Sequence, residues 1–88
     1  MPEEQETVRI QLNYPLSQVK RPILYELVRD YGLIPNIRRA NMDVRTGGYI
    51  FLELTGDHHA INRALLWLEA IGVGVDAIGL DGTEEWAV

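Results

Sequence analysis

The sequence predicts one α+β domain in which secondary structure follows the order strand, helix, strand, strand, helix, strand. Three observations lead to this prediction. Two segments carry apolar residues at helical spacing, several others alternate between apolar and polar residues, and Gly47 and Gly48 separate two of the alternating segments. A chain of 88 residues is long enough for one domain with a thin core.

The first half of the pattern is a strand followed by a helix. Residues 1–6 have no apolar periodicity and are predicted to form a disordered N-terminal tail. Residues 7–12 are predicted to form a half-buried strand, because Val8, Ile10 and Leu12 alternate with polar residues. A helix follows from about Pro22, and Gly32 ends it because glycine readily adopts positive φ. The apolar face of this helix is Leu24, Leu27, Val28 and Tyr31.

The second and third strands are predicted to form a hairpin through a glycine-rich turn at residues 45–48. The second strand covers about 34–44. Its predicted core-facing residues are Ala40, Met42 and Val44. Those of the third strand are Ile50, Leu52 and Leu54. The other sheet face then carries Ile37, Tyr49, Phe51 and Glu53.

The second helix is predicted to begin after Asp57, whose carboxylate can accept the free amide protons of the first turn. Its apolar face is Ile61, Ala64, Leu65, Leu68 and Ile71. A fourth strand is predicted over 74–80, and residues 81–88 form a C-terminal tail without a pattern. Right-handed crossovers place both helices on one face. The expected fold is a ferredoxin-like βαββαβ sandwich, with an antiparallel sheet of order 4-1-3-2 and one uncovered face.

Composition and motifs exclude several functions. A net charge of −5 argues against nucleic-acid binding, which needs clustered Lys and Arg, and the absence of cysteine excludes iron–sulfur ligation. No apolar run is long enough to span a bilayer, and the acidic N-terminus differs from a signal peptide, so a cytoplasmic location is expected. His58 and His59 are adjacent and cannot share a helix face, which favours solvated surface over a metal site. The sequence contains no evident catalytic pair and no cofactor motif, so we predict that the chain is not an enzyme.

The predicted uncovered face suggests self-association. Ile37, Tyr49 and Phe51 lie on it, with Ile78 near its edge. Scattered surface hydrophobes are one interpretation. A patch covered by a second copy of the chain is the other, and it predicts a homodimer.

Several short motifs carry a family resemblance. They are the Asn36–Ile37 pair, the run Ala-Asn-Met-Asp at 40–43, the glycine hairpin, and Leu-Thr-Gly-Asp at 54–57. With these, the chain resembles the NIL domain family over residues 7–80. That family is named for an Asn-Ile-Leu triplet in the second strand. Asn36 and Ile37 match its first two positions, Arg38 departs at the third, and Ala40 stands where many members have glycine.

The resemblance implies a regulatory function. NIL domains occur at the C-terminus of the ATPase subunit of bacterial methionine importers, where they resemble ACT domains, pair with each other, and bind methionine to inhibit transport. Others are fused to iron–sulfur ferredoxin modules, and some stand alone. This chain has no phosphate-binding Gly-Lys-Ser/Thr loop and no cysteine, so it is expected to be a stand-alone, non-catalytic sensing domain. Asn36 would bind the polar end of an amino acid near a dimer contact and Ile37 its side chain, while the charged Arg38 would alter that pocket.

Three alternatives remain open. In the first, Asn36 is only a polar residue that ends the turn after Pro35. The domain would then mediate protein contacts without a ligand, through a partner that the sequence does not name. An RNA-recognition motif shares the element order and places aromatics such as Tyr49 and Phe51 on its third strand. Against it, Arg9 stands where the first strand should offer an aromatic, and the charge is acidic. A dimeric ferredoxin-like enzyme would need reactive groups that the sequence lacks.

Overall fold

The computed structural model describes residues 5–78, which form a four-stranded antiparallel sheet with two helices packed on one face. The strands and helices are β1 Gln5–Tyr14, α1 Ile23–Tyr31, β2 Ile34–Asp43, β3 Gly47–Asp57, α2 His58–Ala70 and β4 Gly74–Ala77. A 3-10 turn at Leu16–Gln18 precedes α1. The sheet order is β2-β3-β1-β4, which is the predicted order read from the opposite edge. The predicted ferredoxin-like fold is therefore confirmed.

The two ends of the domain differ from the predicted boundaries. β1 begins at Gln5, so Gln5 and Glu6 belong to the sheet rather than to the predicted N-terminal tail, and they pair with the last residues of β3. β4 ends at Ala77, and the N–H of Ile78 still donates to the carbonyl oxygen of Arg9 at 2.8 Å. The rest of the predicted tails, residues 1–4 and 81–88, and the predicted strand end at 79–80 lie outside the described residues.

The core lies between the helices and the two central strands. Alternate residues of β1 and β3 are buried there, which confirms the core face predicted for these strands: Ile10, Leu12, Ile50, Leu52 and Leu54. The helices contribute Ile23, Leu27, Ala60, Ile61, Ala64 and Leu68. Because β1 and β3 occupy the middle of the sheet, the helices cover most of their helix-side residues, and Val8 at one end is only partly buried.

β2 departs from its predicted burial. Ala40 pairs with Ile50 and therefore shares the helix-side face, as predicted, but it is exposed. Met42 is 36% exposed, and Val44 lies in the following turn at 67% exposure. The prediction that these residues enter the core is wrong, because β2 is an edge strand and contributes no buried residue.

The hairpin turn is shorter than predicted and precedes the glycines. Residues 44–46 form a three-residue loop, with the N–H of Thr46 donating to the carbonyl oxygen of Asp43 at 3.3 Å. The Asp43 carboxylate also accepts the N–H of Arg45 at 2.7 Å. Gly47 follows this loop and opens β3 with φ of 93°, a left-handed conformation that glycine adopts readily because it has no Cβ.

The end of α1 and the beginning of α2 lie at the predicted residues. The Asp57 carboxylate caps α2 by accepting the N–H groups of His59 and Ala60 at 3.0 and 3.1 Å. Gly32 follows α1 with φ of 67°. Asp57 therefore fixes where β3 ends and α2 begins.

Trp67 on α2 has a structural role. Its ring lies 5.6 Å from the ring of Tyr31 on α1 and 5.4 Å from the guanidinium carbon of Arg21. Arg21 also donates to both carboxylate oxygens of the buried Glu26, at 2.9 and 3.0 Å. These hydrogen bonds lower the pKa of Glu26. The resulting cluster joins α2 to α1 and to the segment just before α1.

Candidate functional site

The sheet face opposite the helices, which we call the open face, holds the candidate site. Residues that oppose each other directly in an antiparallel pair point to the same face, so the register assigns each side chain. On the two central strands the open face carries Thr7, Arg9, Gln11, Asn13, Tyr49, Phe51, Glu53 and Thr55. Tyr49 and Phe51 therefore lie where the sequence predicted.

Ile37 does not lie on the open face. It opposes the buried Leu52, so it belongs to the helix side of β2, where it is 49% exposed at the sheet edge. The β2–β3 register shifts between Ile37 and Arg39, as in a β-bulge at Arg38. The extra residue reverses the faces of all residues before it, which corrects the predicted grouping of Ile37 with Tyr49 and Phe51.

Asn36 does lie on the open face, near the beginning of β2, and its side chain is exposed. It opposes Glu53 on β3, and Glu53 in turn opposes Arg9 on β1. We call these three residues the Asn36 row. Within it, Arg9 Nε donates to a Glu53 carboxylate oxygen at 3.3 Å, and the two side chains are 29% and 21% exposed. The structure thus places an amide and an opposite-charge pair side by side across three strands.

The residues around the Asn36 row are mostly polar. The rings of Tyr49 and Phe51 contact each other with centroids 5.2 Å apart, but both stand on β3. The hydroxyls of Thr7 and Thr55 are 2.7 Å apart on the other side of the row. Farther along β1, Gln11 donates to Asn13 and Asn13 donates to Asp76 on β4. The open face is therefore a hydrogen-bonded polar surface with one aromatic pair, and Tyr49 and Phe51 remain on it without the predicted Ile37.

Two surface cavities do not include Asn36. One, of about 430 Å³, is lined on α2 by Asn62, Leu65, Leu66 and Glu69. Another, of about 350 Å³, lies between β1, the end of β4 and Leu65, and Arg9 is one of the β1 residues that line it. Since neither includes Asn36 or Glu53, a small molecule at these two residues would rest on an open surface unless another surface covered it.

His58 and His59 stand at the start of α2. His58 Nδ1 lies 3.0 Å from a Glu6 carboxylate oxygen, and its Nε2 lies 3.2 Å from the Asn62 amide nitrogen. These contacts join the first residues of β1 to α2. Among residues 5–78, no three His, Asp or Glu side chains are placed to hold a metal ion.

The alternating pattern of the sequence places Arg9 and Glu53 on the polar faces of their strands but does not pair them. The predicted sheet order already indicates that β1 and β3 are neighbours. The register between the two strands could not be predicted, because alternation fixes which face a side chain occupies but not its partner on the next strand.

The element order, sheet order and uncovered face define a ferredoxin-like α+β domain. The NIL domain model matches residues 8–77, so the chain belongs to the NIL domain family. A solved structure with a similar fold is the C-terminal domain of an ABC transporter ATP-binding protein from Enterococcus faecalis. It is 24% identical, with a TM-score of 0.73 over 83% of this chain and 84% of that one. A comparison with curated proteins gives no match. In the part of the chain that the structure describes, no helix has the length and apolar character needed to cross a membrane.

Proposed function

We propose that this chain is a non-catalytic sensing domain that binds methionine or a related amino acid at Asn36, beside a contact between two copies. The observation that carries the proposal is the position of Asn36. By the family resemblance it stands at the first position of the motif, and it is exposed on the open face opposite the charged Glu53. Methionine binding by the NIL domains of importers, implied by the family resemblance, supplies the ligand class.

The chemistry of Asn36 suits the polar end of an amino acid. Its side-chain amide offers a carbonyl acceptor and two N–H donors. Pro35 precedes it and fixes its own φ near −65°, which limits the motion of the backbone beside the amide. An amide held in this way can bridge an ammonium or a carboxylate group.

The apolar part of the ligand needs a different neighbour from the one predicted. Ile37 points to the helix side, so it cannot contact a ligand that lies on the open face of the same protomer. Phe51 precedes Glu53 by two residues on β3 and shares the open face with Asn36. Such a diagonal cross-strand distance is about 7–8 Å, within reach of an aromatic ring. We therefore assign the apolar contact to Phe51.

A second copy would complete the site. Small-molecule sites usually bury most of the ligand surface, whereas the Asn36 row lies on an open sheet. A copy docked on Tyr49, Phe51 and the edge of β2 would cover a ligand and also bury two aromatic rings, residues that are enriched at interfaces.

The ligand proposal is tested by replacing Asn36 with alanine. Wild type should show a rise in melting temperature with L-methionine in a screen of the twenty amino acids, because a ligand that binds only the native state stabilises it. Asn36→Ala should abolish that rise. Its unliganded stability should change by only about 0.5 kcal/mol, as is usual for an exposed polar residue.

Asn62→Ala is the matched control. Asn62 is an exposed asparagine of α2, on the opposite side of the sheet from Asn36. It should retain the wild-type response to ligand. Equal binding of the amino acid by wild type and Asn36→Ala would refute the site. A wild type that binds none of the twenty would instead favour a domain that mediates protein contacts alone.

Phe51→Glu tests the contact between copies. A charge in place of the ring should disfavour burial of the open face, so the sedimentation coefficient should shift from dimer toward monomer. Leu66→Glu is the control, because Leu66 is 68% exposed on α2, on the opposite side of the sheet. A wild-type protein that sediments as a monomer at high concentration would contradict the proposed dimer.

The RNA-recognition alternative finds no support on the open face. β1 presents Arg9 beside Glu53 and Gln11 beside Phe51, so the aromatic pair on β3 has no aromatic neighbour on that strand. Base stacking by an RNA-recognition motif uses aromatics of both central strands.

A further inference from the structure

We infer that the Asn36 row recognises both charged groups of a free α-amino acid: Glu53 binds the ammonium and Arg9 binds the carboxylate. This inference rests on the proposed function, in which Asn36 marks the ligand site. It adds two residues that no motif singles out, and it makes the zwitterion, rather than the side chain, the main determinant of binding.

The geometry of the row fits the main-chain part of an amino acid. Directly opposed residues of neighbouring antiparallel strands have Cβ atoms about 4.5–5.5 Å apart. Asn36, Glu53 and Arg9 therefore form an unbroken line from the edge strand to the middle of the sheet. An amino acid carries its ammonium and carboxylate on a single carbon, so both groups can lie over the adjacent Glu53 and Arg9. The Asn36 carbonyl oxygen is then beside Glu53 and can accept a second ammonium proton.

The existing ion pair orients the two charged groups for this role. Arg9 Nε donates to a carboxylate oxygen of Glu53 at 3.3 Å, which holds the guanidinium and the carboxylate next to each other. A guanidinium has five N–H donors and a carboxylate has roughly four lone-pair sites, so each group can bind several partners at once. The pair is also about three-quarters shielded from solvent, so a ligand charge placed on it is less screened than on a fully exposed pair.

The charge balance of the row gives it selectivity. A simple anion is attracted by Arg9 and repelled by Glu53, and a simple cation is attracted by Glu53 and repelled by Arg9. A singly charged ligand therefore gains little binding energy from the pair. A zwitterion matches both charges at once. Discrimination against the wrong ligands then comes from repulsion as well as from attraction.

The flanking residues set the orientation of the ligand side chain. Phe51 lies on one side of the row, and the hydrogen-bonded hydroxyls of Thr7 and Thr55 lie on the other. An apolar side chain is accommodated against the ring of Phe51 rather than against the hydroxyl pair. The row therefore favours amino acids with apolar side chains, and methionine is one of these.

Calorimetric titration of the full chain with three compounds tests the inference. They are L-methionine, L-methioninamide, which lacks the carboxylate charge, and N-acetyl-L-methionine, which lacks the ammonium. Wild type should bind L-methionine and bind both derivatives about tenfold more weakly or worse, since each has lost one charge-assisted contact. If the twenty-amino-acid screen finds a tighter ligand, its amide and N-acetyl derivatives replace these. This series needs no variant, so it does not depend on how substitutions affect folding.

Two variants then assign the groups. Glu53→Gln should weaken binding of L-methionine about tenfold and abolish the preference over N-acetyl-L-methionine. Arg9→Gln should do the same for the preference over L-methioninamide. Asp76→Asn is the matched control, because it removes one carboxylate charge from β4, where Asp76 accepts a hydrogen bond from Asn13. It should leave all three affinities unchanged.

The outcomes separate this inference from the proposed function. If wild type binds the derivatives as tightly as L-methionine, or if Glu53→Gln and Arg9→Gln bind like wild type while Asn36→Ala does not, the row is a structural ion pair. The inference is then overturned, and the ligand site at Asn36 stands. If wild type binds none of the twenty amino acids, both are overturned.

Discussion

Replacing Leu52 with alanine is expected to lower the free energy of unfolding by about 2–5 kcal/mol, the usual cost of truncating a buried leucine. Leu52 is fully buried at the centre of β3, between Ile10 on β1 and Ile37 on β2. Small domains are stabilised by only about 5–15 kcal/mol in total, so the loss is a large fraction of the whole. Urea denaturation followed by circular dichroism measures it.

Leu66→Ala is the control for this experiment. It removes the same atoms from a residue that is 68% exposed on α2, and its effect should stay within about 0.5 kcal/mol. Similar losses in the two variants would mean that the core is not where the structure places it. Leu52 also has functional relevance, because it lies between Phe51 and Glu53 and anchors the strand that presents them on the open face.

The sequence was sufficient to predict the elements that a covered sheet depends on. In β1 and β3, strict alternation separates buried from open-face residues, because these central strands meet helices on one side and solvent on the other. Asp57 was predictable as a cap because a carboxylate before a helix has a specific partner in the first turn. Tyr49, Phe51, Arg9 and Glu53 were placed on the correct face for the same reason.

β2 could not be predicted in the same way. A β-bulge adds one residue and reverses the faces before it, yet it leaves no mark on the apolar pattern of 34–44. Ile37 was therefore placed on the wrong face. Ala40 and Met42 were placed on the correct face but predicted to be buried, because alternation does not reveal that an edge strand extends beyond the helices. The candidate site combines one residue of this strand with two of the central strands.

The register of the central strands has a functional consequence. The Asn36 row forms because Glu53 opposes Asn36 of β2 on one side of β3 and Arg9 of β1 on the other side. A slip of one residue in either pairing would place an apolar core residue in the row instead. The features that fix the β2–β3 register, namely the bulge at Arg38 and the turn before Gly47, are therefore requirements of the proposed site.

The turn before Gly47 provides the second large expected effect. Gly47 has φ of 93°, and a Cβ placed on it would overlap the carbonyl oxygen of Tyr14 at the end of β1. Gly72, after α2, has nearly the same φ of 92° but has no atom within contact distance of such a Cβ. Gly72→Val should lower the free energy of unfolding by about 1–3 kcal/mol through backbone strain alone. Gly47→Val should lower it further, because its side chain adds overlap with rigid backbone to the strain.

The difference between these two losses, measured by urea denaturation, isolates the contact between the hairpin and β1. Gly47→Val should also weaken binding of L-methionine, because relief of the overlap moves the first residues of β3 away from Tyr14 and shifts Glu53 relative to Arg9. Gly72→Val should leave binding unchanged, since Gly72 follows α2 and does not join the β2–β3 hairpin. Equal losses of stability would show that the end of β1 yields to the new side chain at no cost. The close approach of Gly47 to β1 would then have no part in setting the register of the Asn36 row.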